Sequence, residues 1–255
     1  MSPEGNRIDI NADVGERTEG LLDGSEERLL RVVTSANIAC GGHAGDATSM
    51  HSVVELCQSL GVSIGAHPGY PDRLRFGRSR LNMPLSKLEG SLVEQISSLF
   101  EVASLRGARV HHVKPHGALY NAAATDKELA ATIARATAVV NRNAVLVGLA
   151  GSLMLDVWRD FGFSVIAEAF VDRRYEADGA LRSRALPDAV IVDPLEAAAQ
   201  ALLIVKEGVV MSVDGTAIRV DAQTLCIHGD TSNAVLIAGA VRRALEQSGV
   251  ALRSF

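Results

Sequence analysis

Five short apolar runs in this chain stop at a histidine, lysine or acid set beside glycine or proline. They are NADVGE at Asp13, IACGGHAGD at His43, IGAHPGYPD at His67, HVKPHGALYN at Lys114 and His116, and CIHGD at His228. Strands of a parallel α/β sheet deliver their last residues to one shared face, where such folds keep their active sites. What lies between the runs constrains the fold further. Segments of strand length alternate with segments of helix length nearly from end to end. The pattern predicts strands over 7–12, 35–40, 62–67, 110–115, 144–149, 164–170 and 224–228. It predicts helices over 25–33, 46–60, 86–106, 126–141, 152–161, 193–207 and 232–248. Asp46 and Ser86 suit N-caps, Pro194 a first helical position, and Gly61 and Gly107 C-terminal stops.

Seven strands separated by helices predict repeated right-handed βαβ units. The run VVMSVDGTAIRV (209–220) breaks the alternation, since two β-rich pieces flank Asp214-Gly215, a hairpin signal. The expected fold is therefore α/β: one domain over residues 1–255, an irregular seven-stranded β/α barrel with a hairpin insertion at about 208–222. A length of 255 residues suits one such barrel. A hydrophobic share of 47% with only 4% aromatic residues suits small aliphatic packing between helices and a buried sheet.

A net charge of −5 gives no reason to expect nucleic acid or an anionic membrane as partner. The longest apolar stretch, 144–155, is interrupted by two glycines and a serine and is too short to span a bilayer. The start of the chain has no apolar core of a signal peptide. Three widely spaced cysteines without a C-x-x-C pair argue against a zinc ribbon or redox motif and suit a reducing cytoplasm. Cys40 and Cys226 read as small buried hydrophobes.

Side chains alternate faces along a strand. Asp9, Asn11 and Asp13 share one parity; Ser63, Gly65 and His67 share another strand's inner face; so do His112, Lys114 and His116, then Glu168 with Asp172, then His228 with Asp230. An ordinary barrel interior is branched and apolar. Burying polar groups is costly unless they are paired, so repetition across strands points to a functional centre. His43, His67, His116, Asp13, Lys114 and Glu168 are the candidate catalytic residues. Asn11, Asn37, Arg78, Asp172, His228 and Asp230 are candidate substrate contacts. His111 has the opposite parity to His112 and is expected to pack under a helix.

Two long connections, 68–84 and 171–187, follow strand ends and are rich in arginine (Arg73, Arg75, Arg78 and Arg80; Arg173, Arg174, Arg182 and Arg184). Long loops in compact domains are usually lids or binding loops, and basic ones in an acidic chain suit an anion. GGHAGD sets flexible backbone before a helix start, a place where free N–H groups attract anions. It lacks the order of a Walker loop.

Carboxylates with histidines suit hydrolysis. Asp13 or Glu168 can activate water, a histidine can protonate a leaving nitrogen, and Lys114 can neutralise an oxyanion. The one G-x-S-x-G run, GVSIG (61–65), lies along a predicted strand and not at a strand-to-helix turn, and no cysteine is expected among the polar groups, which argues against an acyl-enzyme. Asp13, His43 and His67 are acceptable ligands for a zinc-like ion. The same convergence serves a metal-free acid–base site, so the residues leave the metal question open.

These motifs carry a family resemblance. DINADVGE (9–16), SANIACGGHAGD (35–46), IGAHPGYPD (64–72) with FGR (76–78), VKPHGALYN (113–121), EAFVDRRYEADGALRSR (168–184) and CIHGDTSNAV (226–235) together resemble the LamB/YcsF family, over almost the whole chain. That family is associated with the A component of the prokaryotic 5-oxoprolinase. The resemblance implies a barrel akin to glycoside hydrolase and polysaccharide deacetylase barrels. It implies cleavage of the lactam of 5-oxo-L-proline to L-glutamate, coupled to hydrolysis of ATP, with Mg as a possible companion. It also implies 5-oxoprolinase subunits B and C as partners in a cytoplasmic complex. Two other functions fit the residues: a metal-dependent deacetylase or amidase acting alone, and a non-catalytic component that captures a small acid.

Overall fold

A computed structural model describes residues 7–255. Its strands, in chain order, are β1 (Arg7–Val14), β2 (Ser35–Ala39), β3 (Ser63–His67), β4 (Val110–Val113), β5 (Val145–Leu149), β6 (Val165–Phe170), β7 (Val209–Met211), β8 (Ala217–Arg219), β9 (Thr224–His228) and β10 (Ala251–Leu252). Seven run parallel in the order β1-β2-β3-β4-β5-β6-β9. The sheet closes because β9 pairs with both β6 and β1. This is the expected seven-stranded β/α barrel. β7 and β8 pair antiparallel as the hairpin expected around Asp214-Gly215, and β10 extends the start of β1.

The helices are α1 (Thr18–Leu22), α2 (Ser25–Leu30), α3 (Ala47–Leu60), α4 (Leu85–Leu105), α5 (Gly117–Ala123), α6 (Lys127–Val140), α7 (Leu153–Asp160), α8 (Pro194–Glu207) and α9 (Ala234–Gln247). Sequence periodicity misses α1 and α5, which are too short to show a helical repeat. Asp46 caps α3 in a reciprocal box with Ser49, and Asp193 caps α8 with Pro194 in its first turn. Ser86 is not a cap. α4 begins at Leu85 behind Pro84, which has no side-chain acceptor. The α3 start does not offer itself to an external anion either, because the Asp46 carboxylate already accepts the Ser49 N–H.

The apolar core lies between sheet and helices. Ile10, Ile38, Ile64, Val113, Ala169 and Leu225 point outward from the barrel and are buried under the helix layer. The opposite parity faces inward and is polar. Register brings its members to common heights: Asp13 stands beside Asn37 on β2 and His228 on β9, and Glu168 beside Thr224. At the base, the Ser35 hydroxyl donates to Asp9 at 2.7 Å, and Thr34 and Thr224 donate to the same carboxyl. Burial pushes that carboxyl above its ordinary range, against the pull of these donors.

One glycine makes room for the layer above. A Cβ at Gly65 would lie 2.0 Å from His112 Nε2. The ring occupies that gap and bonds Asn37 Oδ1 at 2.9 Å. Burial, then the nearby Lys114 charge, lower the His112 pKa to about 3. The neutral ring donates from Nε2, since an amide oxygen only accepts. His111 does not pack beneath a helix as expected. It is exposed at the entrance of β4, where Arg106, Gly107 and Arg109 are exposed too. No helix among the described residues is long and apolar enough to cross a membrane.

Candidate active site at the barrel mouth

Lys114, just past the end of β4, stands at the centre of the mouth. Its Nζ donates to Asp13 Oδ1 at 2.9 Å and lies 3.0 Å from Glu168 Oε1 and 3.0 Å from Cys226 Sγ. All four residues are buried. Burial alone would lower the ammonium's pKa, but the neighbouring Asp13 and Glu168 more than offset it and hold Lys114 well above its ordinary value. Burial would likewise raise the Asp13 carboxyl; His67 and Lys114 beside it outweigh that and hold it well below the usual range.

The two carboxylates differ in what remains free. Glu168 accepts from Asn11 Nδ2 at 2.9 Å and from the Tyr120 hydroxyl at 2.8 Å, so both of its oxygens are engaged. Asp13 uses Oδ1 for Lys114 and Asn37, while Oδ2 has only His67 Nε2 at 3.4 Å. Asp13 is therefore the carboxylate with an oxygen to offer to water. Asn11 and Asn37 lie beneath this floor, bonded to each other at 2.7 Å, and orient the carboxylates from below.

His43, His67 and His116 come together beside this centre, and with them a residue that strand parity misses. Glu16 follows Gly15, whose φ of 71° turns the chain out of β1 and ends the alternation. Glu16 Oε1 lies 2.9 Å from His43 Nε2, 3.2 Å from His116 Nδ1 and 3.9 Å from His67 Nε2. The His43 and His116 rings stack, their centroids 3.6 Å apart. Burial lowers the His43 pKa to about 3 and lowers that of His116. Burial would raise Glu16, but His116 and His43 dominate and hold it ionised. Gly77, with φ 59°, turns the chain tightly over the cluster; a Cβ there would lie 2.7 Å from the His43 Cβ.

The neighbouring Glu26 accepts the Gly15 N–H. Burial, aided by Glu16, pushes its carboxyl up to about 7 from an ordinary 4.5. The folded state thus holds this proton more tightly than the unfolded chain does. Its stabilising effect is complete below about pH 4.5 and is lost as pH rises through 7. Glu26→Gln keeps the acceptor and removes the titration. Urea unfolding should show no gain at pH 4 and a gain of about 2–3 kcal/mol at pH 8. An equal gain at both pH values would refute this assignment.

His228 also lines the mouth. Its Nδ1 sits 2.9 Å from Asp172 Oδ1, and its own N–H and the Thr231 hydroxyl donate to Asp172 Oδ2. Asp172 is wholly buried behind the ring, so it positions His228 rather than meeting a ligand. Cys226 corrects the sequence reading of it as an apolar filler: its thiol is among the polar groups, because Thr224, Cys226 and His228 share the inward parity of β9. Burial holds the thiol well above its ordinary pKa, so it serves Lys114 as a neutral neighbour.

Asp13, Lys114, Glu168 and His228 form the floor of a cleft of about 980 Å³. Arg78, Arg173, Arg182, Arg184 and Arg219 stand around it. The long loops do approach this face, yet many of their arginines are tied within the chain. Arg73 donates to Gly45 O at 2.8 Å, Arg80 pairs with Asp126 at 3.0 Å, and Arg182 with Glu176 at 2.9 Å. Arg78 pairs with Asp230, and Arg184 reaches the same carboxylate only at 3.8 Å, leaving its Nη2 buried without a partner.

The profile of the LamB/YcsF family matches residues 8–255. The chain belongs to the LamB/YcsF family. Among its relatives is a Chloroflexus aggregans protein named as the A subunit of 5-oxoprolinase, 48% identical over 97% of this chain and 98% of the relative. A Heliobacterium modesticaldum protein of the same name is 46% identical over 97% of this chain and 98% of its own length. The crystal structure of a lactam utilization protein from Thermus thermophilus superposes on this LamB/YcsF barrel with a TM-score of 0.88. The two are 40% identical, over 98% of this chain and all of that one. A putative cellobiose-phosphate cleavage protein from Enterococcus faecalis, 16% identical with a TM-score of 0.60 over 98% of both chains, shares the fold alone.

Proposed function

We propose that this LamB/YcsF chain is the A component of an ATP-dependent 5-oxoprolinase, opening the lactam of 5-oxo-L-proline to L-glutamate in a cytoplasmic assembly with subunits B and C. The observation that carries this reading is Lys114, fixed about 3 Å from two carboxylates on the floor of an arginine-rimmed cleft. The names of the near-full-length relatives support it. A five-membered lactam is a poor electrophile, and its opening is uphill without coupling. Phosphorylation of the lactam oxygen by ATP supplies the activation. The chain has no Walker loop, so phosphate contacts fall to arginines such as Arg78 and the half-free Arg184.

Lys114 neutralises charge on the activated oxygen. Asp13 Oδ2 takes the proton of the attacking water. His228, oriented by Asp172, gives a proton to the ring nitrogen as the C–N bond breaks. That leaves an acyl phosphate, which a second water converts to glutamate and inorganic phosphate. A metal-dependent amidase acting without ATP is the second reading, and the cluster of three histidines with Glu16 favours it. The test is glutamate release from 5-oxoproline by the chain alone, by subunits B and C alone, and by all three, with and without ATP. Release only from the full mixture with ATP is expected. Release by the chain alone without ATP would instead establish the amidase.

A further inference from the structure

We propose that Glu16, His43, His67 and His116 form a binding site for one divalent transition metal of the zinc class, separate from the Lys114 centre. One ligand atom of each lies within 4.8 Å of every other. A tetrahedral zinc site with bonds of about 2.0–2.1 Å has ligand–ligand edges of about 3.3 Å. Of the six edges, four are 2.9 Å (Glu16 to His43), 3.0 Å (His67 to His116), 3.2 Å (Glu16 to His116) and 3.9 Å (Glu16 to His67), and the two from His43 to His67 and His116 lie within 4.8 Å. They bracket the required length.

The tautomers point the same way. His67 Nδ1 lies 2.7 Å from the Lys114 carbonyl and His116 Nε2 2.9 Å from the Phe76 carbonyl. A carbonyl only accepts, so these outer nitrogens carry the protons. The inner nitrogens, His67 Nε2 and His116 Nδ1, then face each other across 3.0 Å, and without an added proton both present lone pairs. A single proton can relieve that pair; a cation between them satisfies both together with Glu16 Oε1, and the His43 ring, stacked on His116, must tilt to present Nε2 as the fourth ligand. Outer nitrogens bonded to carbonyls are also the support that metal-bound histidines ordinarily have. Three imidazoles with one carboxylate select the zinc class over magnesium or calcium, which take oxygen ligands.

The scaffold is rigid. The four ligands come from the ends of four consecutive neighbouring strands, β1 to β4. The site has access from two sides: His67 and His116 line the large cleft, and Glu16 lines a second cavity of about 340 Å³. The ligand set differs from Asp13, His43 and His67, the set that the sequence suggests. Asp13 borders the set through Oδ2, 3.4 Å from His67 Nε2, while its Oδ1 is held by Lys114 and Asn37.

The site does not depend on the lactam reading, and its test needs no turnover. Chelator-stripped protein is titrated with Co²⁺ and then with Zn²⁺. We expect one Co²⁺ per chain, with the intense visible bands of a four- or five-coordinate ion, bleached by one equivalent of Zn²⁺. Glu16→Gln and His43→Ala should each weaken binding by more than the roughly 10–100-fold that loss of a supporting hydrogen bond costs such sites. His111→Ala, on the exposed face of β4, should bind as the wild type does. Glu16→Gln is nearly isosteric, and circular dichroism confirms its fold. The proposal is overturned if folded wild-type protein takes up no Co²⁺, if it shows only the faint bands of six-coordinate surface ions, or if Glu16→Gln and His43→Ala both bind unchanged.

Discussion

Lys114→Met is expected to destabilise the barrel by on the order of 3–5 kcal/mol, the usual cost of removing one partner from a buried ion pair. Methionine nearly matches the lysine stem in volume, so cavity formation contributes little. What remains is Asp13 and Glu168, both buried, with the cation that lay 2.9 and 3.0 Å away now missing. Urea unfolding measures the effect as a fall in midpoint at unchanged slope. Adding Glu168→Gln to Lys114→Met removes one of the stranded charges and should recover part of the loss. A drop below about 1 kcal/mol for the single variant would mean that the cluster is not held together by charge.

Gly65→Ala and Gly90→Ala are the same substitution with opposite expected signs. At Gly65 the new methyl would sit 2.0 Å from His112 Nε2 and 2.2 Å from its Cδ2, and that ring is wholly buried. The ring must leave Asn37 or the strands must part. Overpacking of this kind costs typically about 1–3 kcal/mol, and the loss of the 2.9 Å bond to Asn37 adds about 1 kcal/mol. At Gly90, on α4, a Cβ meets nothing within 4 Å. Alanine there should stabilise by about 0.4–1 kcal/mol through reduced freedom of the unfolded chain. Thermal midpoints moving in the same direction for both would contradict this account of the barrel interior.

Much of this site is legible before any coordinates, because period-two alternation survives to the strand ends. It brings Asp13, His67, Lys114, Glu168 and His228 to one mouth without knowledge of which strands are neighbours. It fails where the chain leaves extended geometry. Glu16 lies beyond the left-handed turn at Gly15, so parity says nothing of its direction, although an acid directly after a strand-ending glycine is a usable signal. Cys226 misleads for another reason: its apolar neighbours Leu225 and Ile227 suggest core, while its shared parity with Thr224 and His228 places it inside the barrel. The loop arginines need contacts that sequence does not show, since Asp230 meets Arg78 from 152 residues away. α5 escapes notice because a helix of seven residues has no repeat to read.

Asp13→Asn bears most directly on the claim that the lactam opens at this mouth. The substitution keeps the shape and the acceptor for Lys114 and leaves Glu168 as its counter-ion, so the fold is retained. The measurement is ATP-dependent glutamate release from 5-oxoproline by subunits B and C assembled with wild-type or Asp13→Asn chain. A fall of about 10²–10⁴-fold, the usual worth of a positioned general base, is the expected result. Full turnover with Asp13→Asn, or with this chain left out of the mixture, would contradict the assignment.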